Sequence, residues 1–324
     1  MKFKPHDYQA YCIEYIKSHL VSALLLSMGL GKTVITLTAV RDLILDQQKV
    51  TKALVIAPLR VARDTWPAEI DKWDHLKDMT VSVIVGSQKE RLAAIHHDAM
   101  VYVVNRENVK SLVQYYESNG IRWPYDMVII DELSSFKNGE SQRFRWLKRV
   151  RPYVQRWVGL TGTPASNSLM DLWAEMYILD SGERLGKNIN YYQRLYFKPG
   201  YVNPRTGVVY SYLPKPGAEQ KIYSRISDIT ISMKALDYLN LPECIYVNHE
   251  VNMSKNEKEL YDKVREGLVS HLNKEKIDTG NAGGLITKLQ QMANGAIYDD
   301  NQQVVPIHKQ KLETLSDLIE SANG

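Results

Sequence analysis

Lys32 and Thr33 close a glycine-bearing turn, Gly29-Leu30-Gly31-Lys32-Thr33, between an apolar run at residues 23–26 and an amphipathic stretch at 34–45. Strand, glycine turn and helix in that order are what a phosphate cradle requires. Glycines let backbone N–H groups approach phosphate oxygens, and a helix N-terminus adds partial positive charge. In such a cradle Met28, Gly29, Leu30 and Gly31 form the loop, Lys32 reaches the β/γ-phosphates of ATP, and Thr33 holds Mg²⁺. The usual first glycine of G-x-x-x-x-G-K-[ST] falls at Leu26. That departure touches the mouth of the loop and leaves its phosphate-binding part intact.

Two further constellations belong with the turn. The apolar run at 127–130 ends in Asp131-Glu132. Asp131 is placed to reach Mg²⁺, directly or through water, and Glu132 to polarise an attacking water. The run at 157–160 ends in Thr161-Gly162-Thr163-Pro164. Small hydroxyl residues at a strand end can hydrogen-bond to a neighbouring carboxylate strand, so Thr161, Gly162 and Thr163 are candidates for coupling the nucleotide site to another surface. The expected cofactors are ATP and Mg²⁺.

These residues need a frame. Apolar runs at 23–26, 53–57, 81–85, 101–104, 127–130 and 157–160 alternate with helical patterns such as 34–45 and 61–73. Most runs are short, β-branched and apolar on both faces, as buried parallel strands are. The pattern predicts an α/β protein with a doubly wound parallel sheet, whose ligands bind at the carboxyl ends of the strands. After Asp180 the composition turns rich in Tyr, Gly and Pro, and "NPRTG" between Tyr201-Val202 and Val208-Val209-Tyr210 predicts a hairpin. A strand over 245–251, a helix capped by Ser254, a loop at "NAGG" and a second helix over "LITKLQQMANGAIY" follow. The Met-containing part of that helix, 286–293, reads as core. A last helix starts at Lys311. The expected division is a nucleotide-binding lobe at 1–180, an insert at 181–240, and a linker strand and helices at 241–324.

The chain has 324 residues, with 41 basic against 37 acidic and a net charge of +4. That balance permits a nucleic-acid partner without demanding one. Cys12 and Cys244 make neither a disulfide framework nor a metal pattern, which suits a reducing compartment. No apolar run is long enough for a membrane span, and "MKFKPHDYQ" is not a signal peptide. A cytoplasmic protein is expected. His96-His97 reads as surface, since no Cys or acidic partner stands at ligand spacing. In the basic stretch 142–157, Arg145, Lys148 and Arg149 read as a solvated helix face opposite Phe144 and Leu147.

Taken as an ordered set, the motifs resemble the SNF2-like branch of superfamily 2 helicases and DNA translocases. "PHDYQ" (5–9) resembles the Q motif, "SMGLGKT" motif I, and "APLRVARDTWPAEIDKW" (57–73) motif Ia with its tryptophan-bearing tail. "VVNRENV" (103–109) sits where motif Ib falls, "DELSSFKN" (131–138) resembles the DExx box, and "LTGTPASNSLMDLWAEMYILD" (160–180) motif III. "LPECIYVNHEVNMSKNEKELY" and "LQQMANGAIY" resemble later family segments. Ser134 stands where many members carry His, and only Lys234 remains of the family's basic run before "LP".

The resemblance implies a RecA-like (P-loop NTPase) lobe, a hairpin-bearing insert and the start of a second lobe. It implies adenine contact by Gln9. It implies a DNA strand, double-stranded DNA more than single-stranded, passing Pro58, Leu59 and Arg60 and then Asn105 and Arg106. Motifs IV to VI, with the arginine fingers, belong to a second RecA-like lobe of the same gene product and are not in this sequence. A bacterial or viral source fits a chain without chromatin-reading appendages. The implied function is ATP-dependent translocation along DNA. A non-catalytic DNA- or protein-binding module and the motor part of a restriction-type nuclease stay open as alternatives.

Overall fold

The structure, a computed structural model, describes residues 1–162, 168–238, 247–274, 279–298 and 303–322. In chain order the first unit runs α1 Asp7–Ser18, β1 Val21–Leu26, α2 Lys32–Arg41, β2 Ala53–Ala57, α3 Trp66–Lys72, β3 Val81–Ile84, α4 Gln88–His96, β4 Val101–Asn105, α5 Val109–Ser118, β5 Met127–Asp131, α6 Gln142–Val150, β6 Arg156–Thr161, α7 Leu172–Asp180, α8 Ile189–Tyr196, β7 Phe197–Pro199, β8 Tyr212–Pro214, α9 Ala218–Ile226, β9 Thr230–Met233 and α10 Ala235–Tyr238. The chain divides into two compact units, Met1–Leu241 and Pro242–Gly324.

Seven strands form one sheet in the order β3-β4-β2-β5-β6-β1-β9, and every pairing is parallel. Side-chain alternation along its strands feeds two cores. Leu54, Ile56, Tyr102, Val104, Val128 and Ile130 face one side, where Leu112 and Val113 of α5, Phe144 and Leu147 of α6, and Ile178 of α7 cover them. Val55, Ala57, Val101, Val103, Met127 and Ile129 face the other, under Ile13 and Ile16 of α1, Ile35 and Leu37 of α2, and Trp66 and Ile70 of α3. Helices on both faces of a parallel sheet make the doubly wound α/β fold expected from the apolar runs.

The six strands expected from the sequence are all present, with ends moved by a residue or two. The seventh, β9, was not foreseen. It is short and follows the Tyr- and Gly-rich segment, yet it pairs in register with Ala23 to Leu26 of β1 and shields that strand. The two central helical patterns are not wholly α-helical: π-turns occupy Asp42–Asp46 and Val61–Thr65. The foreseen hairpin forms, with β7 and β8 antiparallel and a further bridge between Val202 and Val209.

In the second unit α11 (Lys255–Lys274), α12 (Thr279–Ala293), β10 (Ala296–Tyr298), β11 (Val304–Pro306) and α13 (Gln310–Ala322) follow one another. Ser254 begins α11, its backbone N–H donating to Glu257 Oε2 at 2.8 Å. Met292 of α12 is buried, but Ile286 is 58% exposed and residues 287, 288 and 290 are exposed too, so the core reading of 286–293 holds for Met292 and not for the stretch. Three expectations fail here. The second helix, expected to run through "GAIY", ends at Ala293, and Ala296–Tyr298 is instead a strand paired with β11. Residues 247–251 form no strand; they are largely exposed, and an apolar alternation without a ladder partner does not make a strand. Residues 245–246 lie outside the described residues. The "NAGG" segment is no loop but part of α12, which starts at Thr279. α12 carries three glycines, at 280, 283 and 284, each at about 1 kcal/mol relative to alanine in a helix interior; it packs against α11. Among the described residues no helix is long and apolar enough to cross a membrane.

Candidate nucleotide site at the strand ends

The site is built at the carboxyl ends of β1, β6 and β5, with β6 between the other two. Register places Leu25 beside Thr161 and Asp131 beside Leu160. The loop after β1, the Thr161-Gly162 end of β6 and the Asp131-Glu132 end of β5 therefore meet on one edge. Gly162 shows how close they come: a Cβ there would stand 3.4 Å from Met28 Cγ and 3.7 Å from Lys32 Nζ.

The loop conformation depends on its glycines. Gly29 and Gly31 have φ of +86° and +79°, a region L-residues enter at a cost of about 1–2 kcal/mol. Gly31 also has no room, since a Cβ would lie 2.7 Å from Gln9 Nε2. Gly31 precedes α2 with no side-chain cap, so the first N–H groups of α2 are left for an external acceptor. Lys32 Nζ donates to the Leu26 carbonyl at 2.9 Å and to that of Ser27 at 3.4 Å. Burial lowers the Lys32 pKa, and Glu132 and Asp131 oppose that shift.

Opposite it, burial raises the Asp131 pKa against the pull of Trp66, Lys32 and the Glu132 backbone N–H. Trp66 is fully buried, and its indole Nε1–H donates to Asp131 Oδ2 at 2.9 Å. Glu132 takes a left-handed conformation, φ 61° and ψ 66°. For a non-glycine residue that costs on the order of 1–3 kcal/mol, and strain of this kind clusters at working sites. Ser135 Oγ and Thr161 Oγ1 are buried without a hydrogen-bond partner among the described residues. Thr163 lies outside them.

These groups fit a nucleotide with Mg²⁺. Uncapped helix N–H groups, a half-buried ammonium and a half-buried carboxylate with one oxygen held by Trp66 form a donor and acceptor set matched to phosphates and a hard cation. No cluster of three or more His, Cys, Asp or Glu capable of holding a metal occurs among the described residues. Mg²⁺ in such sites takes one or two protein oxygens and shares the phosphates, so Asp131 and Thr33 would suffice.

Gln9 is buried and bridges two elements: its Oε1 accepts from the His6 N–H at 3.0 Å, and its Nε2 donates to the Leu30 carbonyl at 3.3 Å. The Tyr8 hydroxyl donates to the same carbonyl at 3.3 Å. Ser27 N–H donates to the Met233 carbonyl of β9 at 3.1 Å. A cleft of about 570 Å³ beside this corner is lined by His6, Asp7, Tyr8, Tyr11, Met233, Asp237 and Tyr238. Sequence reasoning missed Trp66, Tyr8 and Met233. Motif spacing marks the first two as present, but only the fold shows what they touch.

The candidate nucleic-acid residues are also neighbours, because Ala57 and Asn105 pair at the ends of β2 and β4. Arg60 is exposed. Asn105 is buried, its amide donating to Glu107 at 2.9 Å and its oxygen accepting from Asn108 at 2.6 Å. Arg106 donates to Glu107 at 3.0 Å. Burial pushes the Glu107 carboxyl up, but Asn105, its own backbone N–H and Arg106 outweigh that and hold it below its usual range. His96 and His97 are both exposed, and His96 contacts the Tyr115 hydroxyl at 2.7 Å. On α6, Arg145, Lys148 and Arg149 are exposed while Phe144 and Leu147 are buried, the division expected.

Protein p41 of Acyrthosiphon pisum secondary endosymbiont phage 1 is 36% identical over 333 residues, covering 99% of this chain and 70% of p41. Helicase ssl-1 of Caenorhabditis elegans is 27% identical over 306 residues, covering 88% of this chain but 12% of its own length. The Sulfolobus solfataricus SWI2/SNF2 ATPase core in complex with dsDNA has the same fold, with a TM-score of 0.58 at 20% identity over 99% of this chain and 65% of that one. The model of the SNF2-related domain matches residues 17–303. The chain belongs to the SNF2-related domain family.

Proposed function

We propose that this chain is the ATP-binding half of an ATP-dependent DNA translocase of the SNF2-like type. The observation that carries the reading is the meeting of Lys32, Asp131 and Glu132 on one sheet edge, with β6 between their strands. Residues 28–31 and the first turn of α2 bind the phosphates through backbone N–H groups, Lys32 neutralises their terminal charge, and Glu132 orients the attacking water. Thr33 and Asp131 hold Mg²⁺, which neutralises charge on the phosphates when bound. Gln9 and Tyr8 fix the Leu30 carbonyl and so the loop, and the adjoining aromatic cleft seats the base. Thr161, Gly162 and Thr163 couple the site to the DNA path over Pro58, Leu59, Arg60, Asn105 and Arg106.

In this reading residues 1–180 are the ATP-binding lobe, completed by β9, which pairs with β1; the rest of 181–240 is an insert, and 241–324 lead towards a second RecA-like lobe. The Sulfolobus core was solved with dsDNA, which supports duplex DNA as the partner. Since finger arginines contribute on the order of 10³–10⁵ in rate in related NTPases, this chain alone should turn ATP over slowly even with duplex present. Steady-state hydrolysis by the chain and by Glu132→Gln checks both points. Slow Mg²⁺-dependent turnover, lost in Glu132→Gln with nucleotide binding retained, is expected. Equal turnover in the two proteins would sink the role of Glu132, and fast duplex-stimulated turnover would sink the need for a second lobe.

A further inference from the structure

Residues 191–226 hold six basic side chains, Arg194, Lys198, Arg205, Lys215, Lys221 and Arg225, against one acid, Glu219. The rest of the chain is close to neutral, because the whole carries 41 basic against 37 acidic residues. None of the six forms an ion pair among the described residues. Lys215 is held by backbone, its Nζ donating to the Arg194 carbonyl at 2.6 Å; the other five side chains are exposed. Lys215, Lys221 and Arg225 line a cleft of about 510 Å³ together with Gln220 and Ser224, and no carboxylate lines it.

Beside this cleft projects the hairpin of β7 and β8. Its tip is fixed: Asn203 Oδ1 accepts from the Arg205 N–H at 2.9 Å and the Thr206 N–H at 3.2 Å, and Gly207 takes φ +69°. Arg205 stands on that turn. Below it Tyr201 and Tyr210 stack across the strands, centroids 6.0 Å apart, each 64% exposed. The base is rigid, since Tyr192, Tyr196, Phe197, Ile222 and Ile226 are buried in the core that also holds α7. A two-stranded ribbon of this width fits a duplex groove, and unpaired cations beside exposed aromatics suit a phosphate backbone.

We infer that the 191–226 insert is a second nucleic-acid-binding surface, contacting backbone phosphates through Arg205, Lys221 and Arg225, separate from the strand-end path. The inference rests on the reading of the chain as a DNA-binding motor. The test is fluorescence anisotropy of a labelled duplex, and of the matching single strand, over a salt series. It uses the full chain, Arg205→Gln/Lys221→Gln/Arg225→Gln, and Arg60→Ala as the strand-end comparison. For the triple variant we expect a roughly tenfold weaker affinity at low salt and a salt slope smaller by about 2–3, since each phosphate contact contributes about 0.9 on duplex and about 0.7 on single strand. The melting midpoint and ATP affinity should match the unaltered chain, because the three side chains are exposed. Loss on duplex or on single strand alone identifies the strand form bound, and either supports the surface. Unchanged affinity and slope, with Arg60→Ala weakened, would overturn this inference and leave the motor reading standing. No salt-dependent binding by the unaltered chain to either strand form would overturn both. Capture by anionic vesicles in preference to both nucleic acids would reassign the surface and overturn the inference.

Discussion

Trp66 is the residue whose role the fold adds to the motifs. Its indole N–H donates to Asp131 Oδ2 at 2.9 Å and so fixes the orientation of that carboxylate. Supports of this kind change metal affinity by about 10- to 100-fold when removed. Trp66→Phe keeps an aromatic ring and loses the bond, so the Mg²⁺ needed for half-maximal fluorescent-ATP binding should rise about tenfold or more. An unchanged Mg²⁺ dependence would show that the bond only packs the core. Legibility differs among the site residues. That the ends bearing Lys32 and Asp131-Glu132 come together was readable, because their residue types follow apolar strands in the order a parallel sheet needs. The Trp66 bond was not, because residues 65 apart in sequence meet only after α3 folds over the sheet. Asn105 was read as a contact to the DNA strand; its burial against Glu107, which follows from β4 ending inside the sheet, was not legible.

At the scale of elements, the loop between β1 and α2 is held from two sides, by Gln9 and Tyr8 of α1 and by Met233 of β9. Its two glycines should therefore answer differently to alanine. Gly29→Ala meets no atom within 4 Å and carries only the left-handed cost of about 1–2 kcal/mol. Gly31→Ala carries that cost and also drives a Cβ against Gln9 Nε2. Denaturant unfolding and ATP titration should show the larger loss of both stability and affinity at Gly31; equal effects would contradict the packing described. The central strands were legible because both faces are buried and so both faces are apolar. The strand β9 was not, because four residues beside an irregular insert gain strand character only from pairing with β1. The hairpin was legible from its turn chemistry alone, since Asn203 and Gly207 close it locally.

At the scale of the molecule, stability should depend on pH through Glu175. This residue of α7 is buried, and burial, reinforced by Asp171 and opposed by Lys137, raises its carboxyl pKa from 4.5 to about 8. A carboxyl raised in the folded state binds a proton that the unfolded chain releases. Its contribution is complete below the unfolded pKa near 4.5 and is lost as pH rises through about 8, at up to about 1.4 kcal/mol per pH unit. His75, lowered chiefly by burial and by Arg41 from 6.5, acts in the opposite sense just below that value. The difference between the unaltered chain and Glu175→Gln removes the His75 contribution. That difference should move in favour of Glu175→Gln as pH rises from 5 to 8 in denaturant unfolding. A difference independent of pH would mean that Glu175 stays ionised.

In the proposed function the three strand ends form one ATP site in which Lys32 faces the phosphates. Calorimetric titration of ATP in Mg²⁺ into the unaltered chain and into Lys32→Ala tests it most directly. Saturable binding by the unaltered chain is expected, weaker by about 100-fold or more in Lys32→Ala, since a charge-assisted contact to phosphate is about 1.5–3 kcal/mol and the Asp131-Glu132 pair would then be left uncompensated. Equal affinity in the two proteins, or no binding by either, would contradict it.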